Sequence, residues 1–236
     1  MAASLSPVQL AEAHVRALFR ATGDGLLAET NETAPAKAPR VFVARSRAGT
    51  LCHPRHDLHP ALAAELRRLA RDLPPLSDPT GDPEIYAALR SAVEEDGPIT
   101  NRWHGPAYAF DGPALEPHPD VVEIREERDL FVGHPFEDFR TDLDHHRPLF
   151  AVVRDGRVVA AGFSSRTTKR EAEAGVNTHV DHRGQGLGAA VVNAWRLAIE
   201  GSGRVPLYST SYDNLSSQAV TRRLGLRQYA ESYWLA

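Results

Sequence analysis

A glycine-rich turn that joins an apolar segment to an amphipathic helix constrains the fold of this chain more than any other feature. The turn reads Arg183-Gly-Gln-Gly-Leu-Gly188, and the apolar segment before it covers residues 174–180. Glycine has no Cβ, so the backbone of such a turn can approach a ligand closely. The helix that follows directs unpaired N–H groups and the positive end of its dipole toward an anion. The pattern therefore predicts a phosphate-binding turn, to which Arg183 adds a positive charge.

The segments around this turn predict alternating strands and helices. Apolar runs at 149–153 and 158–163 flank Asp155-Gly156, which favours a tight hairpin. After the turn, apolar residues at helical spacing predict one long helix; they are Leu187, Ala190, Val191, Ala194, Leu197 and Ala198. The remaining predictions for the C-terminal half are a strand at 205–211, a helix capped by Asn214 and ended by Gly225, and a last strand at 226–235.

This order of elements, together with two motifs, resembles the GNAT superfamily of acetyl-CoA-dependent N-acetyltransferases. One motif is the glycine turn, and the other runs from Tyr208 through Asn214 to Gly225. The resemblance covers residues 120–236, about half of the chain. It implies an α/β (α+β) fold with a mixed, mostly antiparallel sheet flanked by helices.

The resemblance also implies a binding site for acetyl-CoA and no metal. The pyrophosphate is expected at Arg183, Gly184, Gln185, Gly186, Leu187, Gly188 and Ala189. The strand that carries Val176, Asn177 and Thr178 is expected to diverge from the strand at 205–211. Its backbone N–H groups would then bind the pantetheine arm and polarise the thioester carbonyl. Asn214 and Ser217 complete the expected cofactor-binding set.

The resemblance implies a general base and a general acid, and this chain departs from the family at the position of the acid. Some members of the family use a carboxylate at the position of Glu173 as the base, through a water. Glu171 is the alternative base. The non-functional interpretation of Glu173 is an exposed glutamate at the end of a strand. Many relatives carry a tyrosine acid four residues before the glycine that ends the last helix, where this chain has Thr221. A threonine hydroxyl is too weak an acid, so Tyr208, Ser209 or Ser211 substitutes, or solvent protonates the thiolate. Glu173, Tyr208 and Ser211 are the predicted catalytic residues.

The C-terminal half is short by one strand. Only 11 residues follow Gly225, which is enough for one strand where the family usually has two. An unpaired sheet edge promotes aggregation, so the partner strand is expected from the N-terminal half or from another subunit.

The N-terminal half, residues 1–115, carries mixed strand and helix patterns. Hairpins are predicted at 14–30 and 41–51, helices around Leu66 and Leu89, and a strand at 103–110. We find no glycine turn of the phosphate type here and assign this half no cofactor. It is either a degenerate second acetyltransferase copy or a domain that shapes the substrate site. Residues 111–119 have linker composition, which places a domain of residues 120–236 after them.

Composition predicts an ordinary soluble, cytoplasmic enzyme. The chain has 236 residues, 42% hydrophobic and 25% charged, with no apolar run long enough for a membrane span and no signal-peptide pattern at 1–20. A net charge of −4 without a basic block argues against a nucleic-acid partner. Cys52 is interpreted as a packed apolar residue rather than a nucleophile, and His53, His56 and His59 as a solvated cluster rather than a metal site.

The leading functional prediction is an N-acetyltransferase that acts on the amine of a small molecule or peptide, as a monomer or homodimer. Two alternatives stay open: a module that senses acyl-CoA without turnover, and a transferase for a larger acyl group.

Overall fold

The computed structural model describes residues 5–77 and 81–236, which form two units that interleave along the sequence. The first unit contains the described residues up to Tyr108, together with Ser209–Asp213 and Gln228–Ala236. The second contains Ala109–Tyr208 and Asn214–Arg227. The boundary predicted at residues 115–120 is not tested by this division and stays a prediction.

The helices and strands follow one another in the order α1 (Pro7–Leu18), β1 (Phe19–Ala21), β2 (Leu27–Thr30), β3 (Val41–Ser46), β4 (Gly49–Pro54), α2 (Pro60–Arg71), α3 (Ala87–Asp96), β5 (Arg102–Ala109), β6 (Val121–Ile124), α4 (Phe139–Asp142), β7 (Leu149–Arg154), β8 (Arg157–Thr167), β9 (Glu171–Thr178), α5 (Leu187–Gly201), β10 (Val205–Ser209), α6 (Leu215–Arg223) and β11 (Arg227–Leu235). Short 3₁₀ turns lie at Pro83–Tyr86, Arg128–Leu130, Leu143–His146 and Val180–His182.

One predicted element of the first unit is wrong. Residues 14–18 were expected in a strand, but they belong to helix α1. A capping box begins this helix: the Ser6 side chain accepts a hydrogen bond from the Gln9 N–H at 3.3 Å, and the Gln9 side chain accepts one from the Ser6 N–H at 2.9 Å. The hairpin that follows is correspondingly shorter, β1 and β2. The predicted hairpin at 41–51 is confirmed as β3 and β4.

The sheet of the first unit has the strand order β4-β3-β11-β5. Strand β11 pairs antiparallel with β3, placing Tyr233 opposite Val43. Both neighbours of this last strand therefore come from the N-terminal half, which confirms the predicted source of the missing strand. One core of the unit packs α2 and α3 onto this sheet through Leu66, Tyr86, Leu89, Val93 and Tyr233.

A fully buried carboxylate lies within this sheet. Glu231 on β11 is 0% exposed. It accepts hydrogen bonds from Arg45 at 2.9 Å, from the Tyr86 hydroxyl at 2.7 Å and from the Tyr212 hydroxyl at 2.6 Å. The Nε2 atom of His104 lies 3.2 Å away. Burial opposes ionisation of Glu231, but the hydrogen bonds outweigh it and lower its pKa to about 2.

Removing this charge is expected to destabilise the first unit. Glu231→Gln leaves the Arg45 guanidinium, 6% exposed, without its carboxylate, so we expect a loss of about 3–5 kcal/mol in the free energy of unfolding. Because the folded pKa is about 2 and the ordinary value is 4.5, the carboxylate stabilises the fold above pH 4.5. That contribution is lost as the pH falls through the folded pKa. Urea unfolding at several pH values measures both effects.

Glu95→Gln on the exposed face of α3 is the control for this substitution and should change stability little. Equal stabilities of the two variants at pH 7 would show that the buried network contributes nothing net.

The sheet of the second unit has the strand order β10-β9-β8-β7-β6. Its β9–β10 pair is parallel, and its β6–β7, β7–β8 and β8–β9 pairs are antiparallel. Helix α5 covers one face through Leu187 and Val191, and residues 128–146 cover the other through Phe131, Phe136, Phe139 and Leu143. A Cβ at Gly162 on β8 would lie 2.7 Å from the Val191 backbone, so this glycine lets α5 pack directly on the sheet. The predicted mixed, mostly antiparallel fold class is confirmed.

The proline-rich segment predicted as a linker is bound to helix α5. The Asn193 side-chain amide accepts a hydrogen bond from the Leu115 N–H and donates one to the Leu115 carbonyl, both at 2.9 Å. Arg196 donates to the carbonyls of Phe110 at 3.1 Å and Gly112 at 2.7 Å. These contacts fix residues 110–115 within the second unit.

Candidate functional site

The predicted phosphate-binding turn connects β9 to α5 in the second unit. Gly184 and Gly186 have φ angles of +76° and +80°, in the left-handed region that glycine adopts at little cost. Strand β9 ends at Thr178, two residues earlier than predicted, because the His179 ring accepts a hydrogen bond from the Asp181 N–H and starts the turn Val180–His182. Arg183 is exposed, and its Nε atom donates to the Thr178 carbonyl at 3.4 Å.

The N-terminus of α5 offers hydrogen-bond donors to a ligand. Gly186 is its N-cap, no side chain caps the helix, and its first turn carries no acidic residue. Among the described residues, the N–H groups of Leu187, Gly188 and Ala189 are therefore available to an anion. Helix α2 of the first unit differs, because Pro60 has no N–H and the His59 ring accepts from the Ala61 N–H.

Strands β9 and β10 separate beside the turn. Their parallel register ends at the pair of Glu173 and Leu207, although β9 continues to Thr178. Beyond that pair, residues 174–178 are paired with β8. The edge of β9 that faces away from β8 therefore has backbone groups available where the resemblance expects the pantetheine slot.

The three strand residues expected at the pantetheine arm have different surroundings. Val176 and Thr178 approach Gly188, whose Cβ would lie 3.5 Å from Val176 Cγ2 and from Thr178 Oγ1. The Asn177 side-chain amide donates to the Pro135 carbonyl at 3.4 Å. The start of α5 thus lies against the end of β9.

Glu173, the predicted base, is buried rather than exposed. It lies at the point where β9 and β10 separate, and its side chain is 4% exposed. Arg166 stands opposite it on β8, with Nη1 lying 3.5 Å from Glu173 Oε2. Glu171, the alternative base, accepts a hydrogen bond from the Thr168 hydroxyl at the start of the strand. Arg166 is therefore the ion-pair partner of Glu173.

The candidate acids differ in location. The Tyr208 hydroxyl lies 2.8 Å from the Ser217 hydroxyl on α6, one helical turn before Thr221. Thr221 is buried and donates to the Gln218 carbonyl at 2.8 Å. The phenol of Tyr208 therefore reaches the helix on which the family's tyrosine is expected. Ser211 is half-buried and belongs to the first unit, unlike the other predicted site residues.

Asn214 has a structural role in addition to its expected one. Its Oδ1 atom accepts hydrogen bonds from the Ser217 N–H at 3.0 Å and from the Ser216 hydroxyl at 2.9 Å. It thereby caps α6, as the sequence predicted, and fixes the position of Ser217 beneath Tyr208.

One residue near the turn was not singled out from the sequence. The guanidinium of Arg223, at the end of α6, lies beside Gly186. The sequence offers two adjacent arginines near the end of this helix, Arg222 and Arg223. Only the packing of α6 against the turn shows which of them lies beside Gly186.

The three clustered histidines predicted as solvated, and Cys52 beside them, have local contacts. His56 Nδ1 lies 3.0 Å from the Leu27 carbonyl, His53 Nδ1 lies 3.5 Å from the Gly25 carbonyl, and His59 caps α2. Burial raises the pKa of the Cys52 thiol to about 12, so this cysteine is not poised as a nucleophile. Within residues 5–77 and 81–236, no group of three His, Cys, Asp or Glu side chains is arranged to hold a metal ion. Over the same ranges no helix combines the length and apolar character of a membrane span.

Comparison with known proteins finds two kinds of similarity. The model of the GNAT acetyltransferase family matches residues 134–233. A GNAT-family acetyltransferase from Colwellia psychrerythraea is 15% identical, with 83% of this chain and 80% of that chain covered and a TM-score of 0.50. At this identity the likeness shows the fold alone. No curated protein matches the chain.

Two further solved structures match with lower TM-scores. A GCN5-related N-acetyltransferase-like protein from Streptococcus suis is 17% identical over 84% of this chain and 85% of its own, with a TM-score of 0.47. A tandem GNAT protein from the clavulanic acid biosynthesis pathway is 18% identical over 84% of each chain, with a TM-score of 0.44. The match to the GNAT acetyltransferase family lies in the part of the chain that carries the glycine turn.

Proposed function

We propose that the chain is an acetyl-CoA-dependent N-acetyltransferase that acts on the amine of a small molecule or peptide. The observation that carries this proposal is the uncapped start of α5 at two left-handed glycines, beside the separation of β9 from β10. The match to the GNAT acetyltransferase family supports this reaction class, and the geometry of the turn is compatible with a bound CoA.

The residues around the turn fit the phosphates and the pantetheine arm of CoA. The N–H groups at the start of α5, the backbone of Gly184–Gly186 and the charge of Arg183 suit a diphosphate. The free edge of Val176, Asn177 and Thr178 suits the amides of the pantetheine arm. Asn214 and Ser217 lie at the start of α6 and are proposed to complete the site. When bound, acetyl-CoA supplies the activated acetyl group.

Two side chains are proposed to move protons. Glu173 accepts the proton of the acceptor amine at a carboxylate oxygen, directly or through a water, and Arg166 orients this carboxylate through their ion pair. Tyr208 holds a proton on its phenol oxygen for the departing thiol sulfur, oriented by the Ser217 hydroxyl. Ser211 is the alternative donor.

A second candidate function is a module that senses acyl-CoA without turnover. The buried Thr221, whose hydroxyl is committed to the Gln218 carbonyl, favours it, because a threonine cannot replace a tyrosine acid. Release of CoA in the presence of a panel of amines separates an enzyme from a sensor. Comparing thioesters of different chain length tests the transfer of a larger acyl group.

Gly186→Glu is expected to weaken CoA binding by at least about tenfold. The glutamate carboxylate would occupy the space of the phosphate and pair with the adjacent Arg223. A side chain at this φ of +80° is also strained, so thermal unfolding must show that the variant is folded. Calorimetric titration with CoA measures the affinity.

Gly201→Glu is the matched control, since it adds the same charge at the opposite end of α5, where a Cβ has nothing within 4 Å. Unchanged CoA affinity in folded Gly186→Glu would contradict the site. Absence of CoA binding by the unmodified protein would contradict the function.

A further inference from the structure

The Arg223 guanidinium occupies the space next to the glycine turn. A Cβ at Gly186 would lie 2.5 Å from Arg223 Cζ and 2.7 and 2.8 Å from its two Nη atoms. Helix α6 is held at this place by Val220, whose Cγ2 atom would lie 3.3 Å from a Cβ at Gly188. Because Gly186 has no Cβ, the guanidinium can lie this close to the backbone of the turn.

The electrostatics of this arrangement favour a bound anion. Arg223 is exposed, and no carboxylate forms an ion pair with it among residues 5–77 and 81–236. Its neighbour is the start of α5, which has the positive end of the helix dipole, no cap and no acidic residue in the first turn. Two positive groups therefore lie close together, and an anion bound between them would be stabilised by both.

We propose that Arg223 is a further cofactor-binding residue, which binds the diphosphate of CoA together with the N–H groups of Leu187, Gly188 and Ala189; this rests on the proposed function. The guanidinium has a planar fork of donors that matches two oxygens of a phosphate, which a helix N-terminus alone does not offer. Arg223 thereby favours CoA thioesters over acyl carriers that lack a diphosphate.

The chain offers a matched pair of variants for the test. Arg222 and Arg223 are adjacent, exposed and in the last turn of the same helix, so Arg222→Gln and Arg223→Gln remove the same charge. Calorimetric titration of the full chain with CoA should show about ten- to hundredfold weaker binding for Arg223→Gln, and little change for Arg222→Gln. Arg223→Lys should recover part of the affinity, because it keeps the charge but not the fork.

Titration with 3′-dephospho-CoA identifies the phosphate that is bound. Arg223→Gln should weaken the binding of this compound as much as that of CoA, since both carry the diphosphate. A loss seen with CoA alone would place the contact at the 3′-phosphate and overturn the assignment. Equal affinities of the two glutamine variants for CoA would overturn it too, while the proposed function would fall only if the unmodified protein did not bind CoA.

Discussion

Replacing Glu173 by glutamine is expected to lower kcat by about 10²- to 10⁴-fold while CoA affinity stays unchanged. The variant keeps the size of the side chain but removes the oxygen that accepts the proton of the amine. Glu173 is buried and paired with Arg166, at the point where β9 and β10 separate. Steady-state assays of CoA release over a range of pH, with CoA titrations beside them, measure the effect.

Glu171→Gln is the control for this experiment. Glu171 is also a buried carboxylate of β9, but it is bonded to Thr168 at the start of the strand, where β9 and β10 are still paired. Its replacement should leave kcat within a few-fold of the unmodified protein. If Glu171→Gln lost the activity and Glu173→Gln kept it, the base would be Glu171.

Tyr208→Phe tests, in the same assays, whether Tyr208 donates the proton to the departing thiol. It removes the hydroxyl that meets Ser217 while keeping the ring, which packs in the core beside Phe110. If Tyr208→Phe retained full activity and Ser211→Ala did not, Ser211 would be the proton donor.

The parts of the site that the sequence predicts are those fixed by local chemistry. The glycine turn, the hairpin at Asp155-Gly156 and the Asn214 cap each depend on a few neighbouring residues with special backbone or capping preferences. Such preferences act over one turn of chain, so they can be read without knowing the fold.

The parts that sequence reasoning missed are set by contacts between distant segments. Arg222 and Arg223 are equivalent in the sequence, and only the packing of α6 on the glycine turn places one of them beside Gly186. Glu231 is one of several polar residues in β11, and its partners Arg45, Tyr86 and His104 lie more than a hundred residues away along the chain. The spacing of apolar residues along the sequence carries no information about such long-range pairs.

The wrong strand prediction at residues 14–18 has a local cause and does not depend on distant contacts. Apolar residues there alternate over a short stretch, which favours a strand when the stretch is read alone. The Ser6 and Gln9 capping box, which begins eight residues before His14, starts a helix that continues through residues 14–17 to Leu18. A capping signal therefore outweighs a short alternating pattern when the two disagree.

A fragment of residues 109–236 is expected to aggregate, although it contains the whole of the second unit and both family motifs. Its last strand, β11, lies between β3 and β5 in the sheet of the first unit, and the fragment lacks β3 and all of β5 except its last residue. Tyr229, Tyr233 and Leu235, all buried in the full chain, would then lie on a strand with two unpaired edges.

The buried charge on the same strand adds to this effect. In the fragment, Glu231 would lose Arg45, Tyr86 and His104 and keep only Tyr212. A fragment of residues 109–227 is the control, because it ends at the start of β11 and should aggregate less if that strand is the cause. Soluble yield and gel filtration measure the difference. A monomeric 109–236 fragment that bound CoA as tightly as the full chain would show that β11 needs neither of its neighbours.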